Sequence, residues 1–329
     1  MKYDVFGIGS AIMDFLIQVH PNELLDLDLK KGHFNLVDEQ QSKKILDRVK
    51  HSEMKIAPGG SCANSLYGIA LLGGSVVFCG KVGKDEHGAI YEQKMTDNGV
   101  KSQIGKIDSH KTGHAITFIT PDSERTFAVH LGASIKLEKE DLFFDDVKNS
   151  KILHIEGYQL EDPSLRAVAL HAMDFAKKHN VKISIDLADP GIVARNKDDL
   201  LKLVKKYADI VFANEDESKA LTGKEAIEAL NEISKMAEIA VVKIGKKGSL
   251  VKSGSDLHEI KPHSVKPLDT TGAGDMYAAG FLYGHTHGYK LSQCGNIGSY
   301  LAAKVVEQVG ARLSSVDHSV IEKIKDGNY

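Results

Sequence analysis

The sequence predicts an α/β protein: a central, mostly parallel sheet with helices on both faces, plus a small separate β-sheet. Three observations predict it. From about residue 150 onward, short apolar and partly β-branched runs alternate with segments of helical periodicity, the pattern of βα units. The glycine-rich stretches at 58–66 and 269–275 both lead into small apolar helical patterns, as ligand-binding turns do at the carboxyl ends of strands. A chain of 329 residues with 42% hydrophobic content is also long enough to bury one large α/β core. One domain is expected over 1–329, with the small sheet forming a lid from about 14–38 and 111–132.

In chain order, the apolar run 5–8 ends at Gly9-Ser10, as a buried strand does where it empties into a site. Asp14 follows where the chain leaves the core. A carboxylate there can accept hydrogen bonds from two neighbouring sugar hydroxyls, and a solvated turn residue reads the same way. Gly59 and Gly60 let a polar ligand lie against main chain, and Asn64 faces it one turn into the following helix. Residues 76–79 read as a strand and 80–88 as a loop. A hairpin is expected from 114–120 and 125–131 around a Pro121-Asp122-Ser123 turn. With 15–19 and 34–37 it makes the lid sheet.

Beyond 150, strands are expected at 151–155, 183–187, 210–212 and 241–244, with helical segments such as 165–178 and 225–236 between them. Asn214 and Glu217, three apart after a strand, share one side of a helical turn. An amide and a carboxylate so placed suit magnesium-bound water, or equally a capping box. Residues 241–249 read as strand, turn, strand. Ile297, Leu301, Val305 and Val309 recur every four residues and predict a core helix ending at Gly310, with Asn296 at its start.

The stretch with most chemistry is Asp269-Thr270-Thr271-Gly272-Ala273-Gly274-Asp275. Its glycines permit a tight turn, and the small apolar run behind it predicts a helix from about Ala273. The amides of Gly272, Ala273 and Gly274 would then form an anion site at the positive end of the helix dipole. Asp275 in the same turn repels phosphate unless it takes a proton, which marks it as a general base for an attacking hydroxyl; an ordinary helix cap is the competing reading.

A net charge of -3 and a pI near 6.6 give no global attraction to nucleic acid or anionic lipid, so the expected partner is a small molecule. Cys62, Cys79 and Cys294 show no disulfide framework and no metal spacing, and the fifteen histidines none either. Neither a leader peptide nor a membrane span is read, which predicts a reduced, cytoplasmic protein. Monomer and homodimer are both compatible with the sequence.

Three signatures fall in order: Gly59-Gly60-x-x-x-Asn64, Asn214-x-x-Glu217, and Asp269-Thr270-x-Gly272-Ala273-Gly274-Asp275. Together they resemble the ribokinase-like (PfkB) family of carbohydrate and nucleoside kinases over nearly the whole chain. Within it the likeness is strongest to adenosine kinases and their bacterial relatives, through residues 59–65, Glu124-Arg125-Thr126 and the 298–303 helix. Ser10 and Thr271 depart from this, since animal adenosine kinases carry Asn at both places.

The resemblance implies a ribokinase-like fold and transfer of the ATP γ-phosphoryl to a primary hydroxyl beneath a β lid. It implies Asp275 as base, the 272–274 amides at the γ-phosphoryl group, and Arg125 brought in by the lid. Asp14, Gly59, Gly60 and Asn64 would bind the acceptor, with Tyr158 stacked on a nucleoside base. Asn214, Glu217 and Thr270 would serve the nucleotide and Glu217 the Mg2+ through water, with Lys243, Gly245 and Gly248 at a glycine turn and Asn296 at the purine. By family analogy a K+ site falls near Asp269, Thr271 and the 310–315 turn. The expected acceptor is a nucleoside, adenosine first. A sugar such as ribose or fructose, inosine or guanosine, and an inactive ligand sensor are the alternatives.

Overall fold

The computed structural model describes every residue except 26, 28, 33, 123, 124, 328 and 329. Ser123 of the expected turn and Glu124 of the Glu-Arg-Thr cue therefore lie outside the described residues. In chain order the strands are β1 (Tyr3–Ile8), β2 (Ile12–Gln18), β3 (Phe34–Leu36), β4 (Met54–Pro58), β5 (Val76–Gly83), β6 (Val100–Ile107), β7 (Thr112–Ile119), β8 (Arg125–Gly132), β9 (Ser150–Glu156), β10 (Lys182–Asp186), β11 (Ile210–Asn214), β12 (Ile239–Lys243), β13 (Ser249–Ser253) and β14 (Asp256–Ile260).

Nine strands form the large sheet in the order β14-β13-β12-β11-β10-β9-β1-β5-β6. It is parallel from β12 to β6 and antiparallel at the β12-β13-β14 edge. Every residue of β1 and β5 is buried, because helices cover both faces as a parallel sheet requires. The two-residue period of a strand sorts side chains between the two cores: Val5 packs with Phe78 and Phe212 on one face, Phe6 with Val77 and Leu153 on the other. This is the ribokinase-like arrangement.

The second sheet runs β3-β8-β7-β2-β4 and packs its own apolar cluster of Ile12, Ala115 and Val129 beside Phe34, Phe127 and Leu131. It contains 54–58, which the sequence reading omitted. Residues 80–83, read as loop, are the end of β5. Gly80 and Gly83 pair with Ile104 and Ile107 of β6, and a Cβ on them would meet Gly9 O at 2.9 Å and His110 O at 2.6 Å, so packing around the strand rather than a turn demands small residues there. The helix read as ending at Gly310 spans Leu291–Val305. Gly310 instead has φ 105° and donates its amide to Asp269 Oδ2 at 2.8 Å.

Candidate active site

The site is assembled from strand ends. Glu156 closes β9, Asp186 closes β10, Asn214 closes β11 and Lys243 closes β12. The sheet register sets Glu156 beside Asp186 and Asn214 beside Lys243. With Ser10 just past β1, they line a cleft of about 1270 Å³ whose opposite wall carries Phe34, Leu36, Phe127 and Val129 of the small sheet. One small ligand occupies roughly 300–1,000 Å³, so this cleft has room for two placed end to end.

At its centre stands the helix Ala273–Thr286, which begins at the expected residue. Gly272 caps it with φ 75°, a left-handed conformation in which a Cβ would also sit 2.6 Å from the Ala311 backbone. Among the described residues no backbone carbonyl takes the amides of Gly272, Gly274 or Asp275, whereas that of Ala273 turns back to Thr270 O at 3.3 Å. The expected anion site would therefore draw on the amides around Ala273 rather than its own. Lys243 supplies charge there: its Nζ lies 3.3 Å from where a Cβ on residue 274 would be, and 3.0 Å from Asp186 Oδ2. Burial opposes the ammonium charge, yet Asp186, Glu217 and Asp275 together hold the Lys243 pKa above its ordinary value.

Asp275, in the first turn of that helix, is clamped by the helix Ser61–Leu71. Ser61 Oγ donates to its Oδ1 at 2.6 Å and Asn64 Nδ2 to its Oδ2 at 2.9 Å. The two helices come this close because Gly68 faces Ala279, where a Cβ on residue 68 would lie 2.6 Å from the alanine methyl. Burial raises the Asp275 pKa, opposed by the Ser61 and Asn64 hydrogen bonds and assisted by Asp186. The result is an oriented carboxylate more basic than an exposed one. Glu156, also buried and facing Asp275, is pushed up further.

Beside the small sheet, Asp14 projects from β2 into the cleft. Gly59 stands behind it rather than on the wall, since a Cβ there would meet the Asp14 carboxylate at 2.2 Å. Gly60, with φ 86° and the Ser10 carbonyl 2.3 Å from its would-be Cβ, does line the cleft. Burial carries the Asp14 pKa to about 7, Arg312 working against the rise and Asp275 and Asp269 with it. Tyr158 lies in the cleft wall against Phe34, ring centres 5.2 Å apart, and Gln159 donates to Ser10 Oγ at 3.0 Å.

Arg125 opens β8 and reaches the central turn, with Nε 2.8 Å from Asp269 Oδ1 and a hydrogen bond to Thr270 Oγ1. Asp269 Oδ1 also accepts from Thr271 N and Oγ1. With Gly310 on its other oxygen, this 2%-exposed carboxylate is satisfied by protein donors. Asn214 and Glu217 form a complete capping box: Asn214 Oδ1 accepts from Glu217 N, and both Glu217 oxygens accept from Asn214 at 2.7–2.8 Å. The pair also lines the cleft, and burial lifts Glu217 to about 7 against the pull of Lys243.

Gly245 and Gly248 line the cleft, Gly248 at φ 101° under the Ile260 carbonyl. Asn296 is outside the lining residues. Ser299 and Ala302 on the same helix and Val306 at its C-terminal cap form the wall, and Asn296 shares their face three residues, about 4.5 Å, too far along. The sequence reading missed Ser61, Gln159 and Arg312, and also Glu156 and Asp186, which a single acid at the end of an apolar run would have flagged.

Residues 28–318 match the pfkB family carbohydrate kinase profile. The chain is similar to the adenosine kinase of Sinorhizobium meliloti, 32% identical with a TM-score of 0.92 over 99% of this chain and 100% of that one. A probable sugar kinase of Rhizobium etli gives 32% identity and a TM-score of 0.92 over 99% and 98%. The 5-dehydro-2-deoxygluconokinase of Bacillus subtilis is 32% identical over 76% of this chain and 81% of its own. Cleft, strand-end chemistry and matched span agree: the chain belongs to the PfkB family of carbohydrate kinases, phosphotransferases that act on an alcohol group.

Proposed function

We propose that the protein phosphorylates the primary hydroxyl of a neutral nucleoside, adenosine first, with ATP as donor. The observation that carries this is the make-up of the acceptor end. Asp14 and Asn64 offer hydroxyl partners, while Phe34, Tyr158, Phe127 and Val129 offer an apolar, partly aromatic wall suited to a base. The cations among the described lining residues are Arg125, Lys243 and Lys246. Arg125 is paired with Asp269 and Lys243 with Asp186, and Lys246 sits in the glycine turn of the nucleotide end. An acidic sugar, as the name of the Bacillus relative denotes, would bury its carboxylate there without a partner. A neutral sugar is the second reading, favoured by Glu156, whose buried carboxyl adds a hydroxyl partner beside Asp275.

In this reaction Asp275 accepts the proton of the attacking hydroxyl as the new O–P bond forms. The bond to the leaving diphosphate breaks, and its electron pair stays on the β-phosphate oxygen. The amides of Gly272 and Gly274 and the Lys243 ammonium face the charge that develops on the transferred group. No group of three or more metal-ligating side chains exists among the described residues, so the donors present do not form a closed metal cage. They would suit Mg2+ arriving with the nucleotide, and Glu217 and Asp186 are the carboxylates that would hold it. Magnesium so bound neutralises phosphate charge. The nucleotide base would lie along Val265, Ala302 and Val306. The chain has no described helix long and apolar enough to cross a membrane.

A panel of adenosine, inosine, guanosine, ribose, fructose and 5-dehydro-2-deoxygluconate, assayed by ADP release, tests the acceptor. Adenosine should give the highest kcat/KM; preference for any sugar would remove the nucleoside reading. Because Asp14 must be ionised to accept two hydroxyl hydrogen bonds, acceptor kcat/KM should fall as pH drops through about 7. Asp14→Asn should raise acceptor KM roughly 10- to 100-fold, the worth of one charge-assisted hydrogen bond, and abolish that limb. An unchanged limb in the variant would assign it to another group.

A further inference from the structure

We infer that Arg312 is a positioning residue for the reaction, holding Asn64 and the turn behind Asp14 in the orientation that serves the base. The inference rests on the assignment of Asp275 as base, and it starts from an ambiguity in Asn64. An Asn side chain carries an acceptor at one tip and a donor at the other, and only the donor is useful to a carboxylate. Arg312 Nε donates to Asn64 Oδ1 at 2.8 Å, and a guanidinium has no acceptor to offer. With Oδ1 committed, Nδ2 must face Asp275, where it donates at 2.9 Å. A flipped amide would set oxygen against carboxylate and nitrogen against guanidinium, two repulsions at once.

The other arm of the fork reaches the acceptor side. Arg312 Nη2 donates to Gly59 O at 3.3 Å, and Tyr91 donates its hydroxyl to the same carbonyl at 3.0 Å. Gly59 is the residue whose missing Cβ makes room for the Asp14 carboxylate. One side chain therefore braces both the partner of the base and the backing of the hydroxyl-binding acid. Its own position is fixed: the guanidinium lies 5.2 Å over the Tyr67 ring, and the Tyr67 hydroxyl donates to Leu313 O at 2.6 Å.

The neighbouring residues of the same segment touch the phosphate end. Ala311 packs on Gly272, and Gly310 donates to Asp269. Residues 310–313 thus span from the anion turn to the acceptor turn, and Arg312 is their reach into the acceptor half. The positive charge also faces Asp14, alongside Asp275, Asp269 and Tyr91. Asp275 in turn faces Ser61, Asn64, Asp186, Glu156 and Lys243. Taking the guanidinium away leaves acids in excess around Asp14 and favours its protonated form.

The test compares Arg312→Met and Arg312→Lys with the wild-type protein, measuring kcat/KM for the acceptor and KM for ATP across pH, with melting temperatures. The Met variant is expected to lose roughly 10- to 100-fold in acceptor kcat/KM with little change in ATP KM, and to shift its acid limb to higher pH. Lys should restore the limb, because the charge returns, while recovering only part of kcat, because the fork does not. A Met variant with wild-type kcat/KM and limb overturns the proposal. So does a loss shared equally by acceptor and ATP that Lys fails to relieve and that tracks a fall in melting temperature, since that is what a merely structural arginine would give. Adenosine turnover by the wild type tests the acceptor reading separately. The variant-to-wild-type ratio, taken with whichever panel compound the wild type phosphorylates, tests Arg312.

Discussion

Asp275→Asn is expected to lower kcat by roughly 10²–10⁴-fold, the usual range for a lost general base, while ATP still binds. The substitution keeps shape, and one of the two donors, Ser61 or Asn64, still meets the amide oxygen, so the fold should be retained. What disappears is a site for the proton. The asparagine amide would also turn an N–H toward one of two donors, which costs alignment as well as basicity. Steady-state kinetics with nucleotide binding measured separately decide the matter: turnover within a few-fold of wild type would remove Asp275 from the role of base. Weakened nucleotide binding with unchanged kcat would make it a phosphate-site residue instead.

Gly272→Ala is expected to be the second most damaging change, and by a different route. The φ of 75° costs a residue with a side chain about 1–2 kcal/mol. A new methyl would also lie 2.6 Å from the Ala311 Cα and carbonyl oxygen, backbone atoms that cannot rotate away. The helix start must shift, and the amides of Gly272 and Gly274 move with it. Stability should fall by about 1–3 kcal/mol in denaturant titrations. Losing aligned donors to the transferring group should lower kcat by roughly 10²–10³-fold at a temperature where the variant is still folded. A folded variant with near-normal kcat would mean those amides do not stabilise the transferred group.

The parts of the site legible in the sequence are those whose partners lie within one turn. Gly272, Gly274 and Asp275 announce themselves together because a helix start brings its own glycine, its own amides and its own acid. Asn214 and Glu217 were legible for the same reason, and the structure shows the capping-box reading, with both residues also lining the cleft. Arg312 was illegible because its partner Asn64 stands 248 residues away and nothing near 312 signals a ligand. Strand β6 was missed because most of its residues are only half-buried, so VKSQIGKI lacks the apolar alternation of a strand. The 80–83 glycines misled in the opposite direction: read as turn formers, they are the small residues a crowded strand needs where backbone and side chains press on it.

The small sheet joins the rest of the fold through short crossings at 9–11, 59–60 and 108–111; Asp14 lies just beyond the first and Gly59 in the second. Phe34 and Leu36, on the strand at the far edge, are separated from β2 by two intervening strands. If the sheet turns about these crossings, as the expected lid would, Asp14 lies near the fulcrum, and the rotation would carry the aromatic edge through a wide arc while leaving the acid nearly still. Under the proposed function an incoming molecule would then be held by its alcohols before its remaining surface is enclosed, so a compound with the right diol and the wrong ring should still bind, weakly, and leave unreacted.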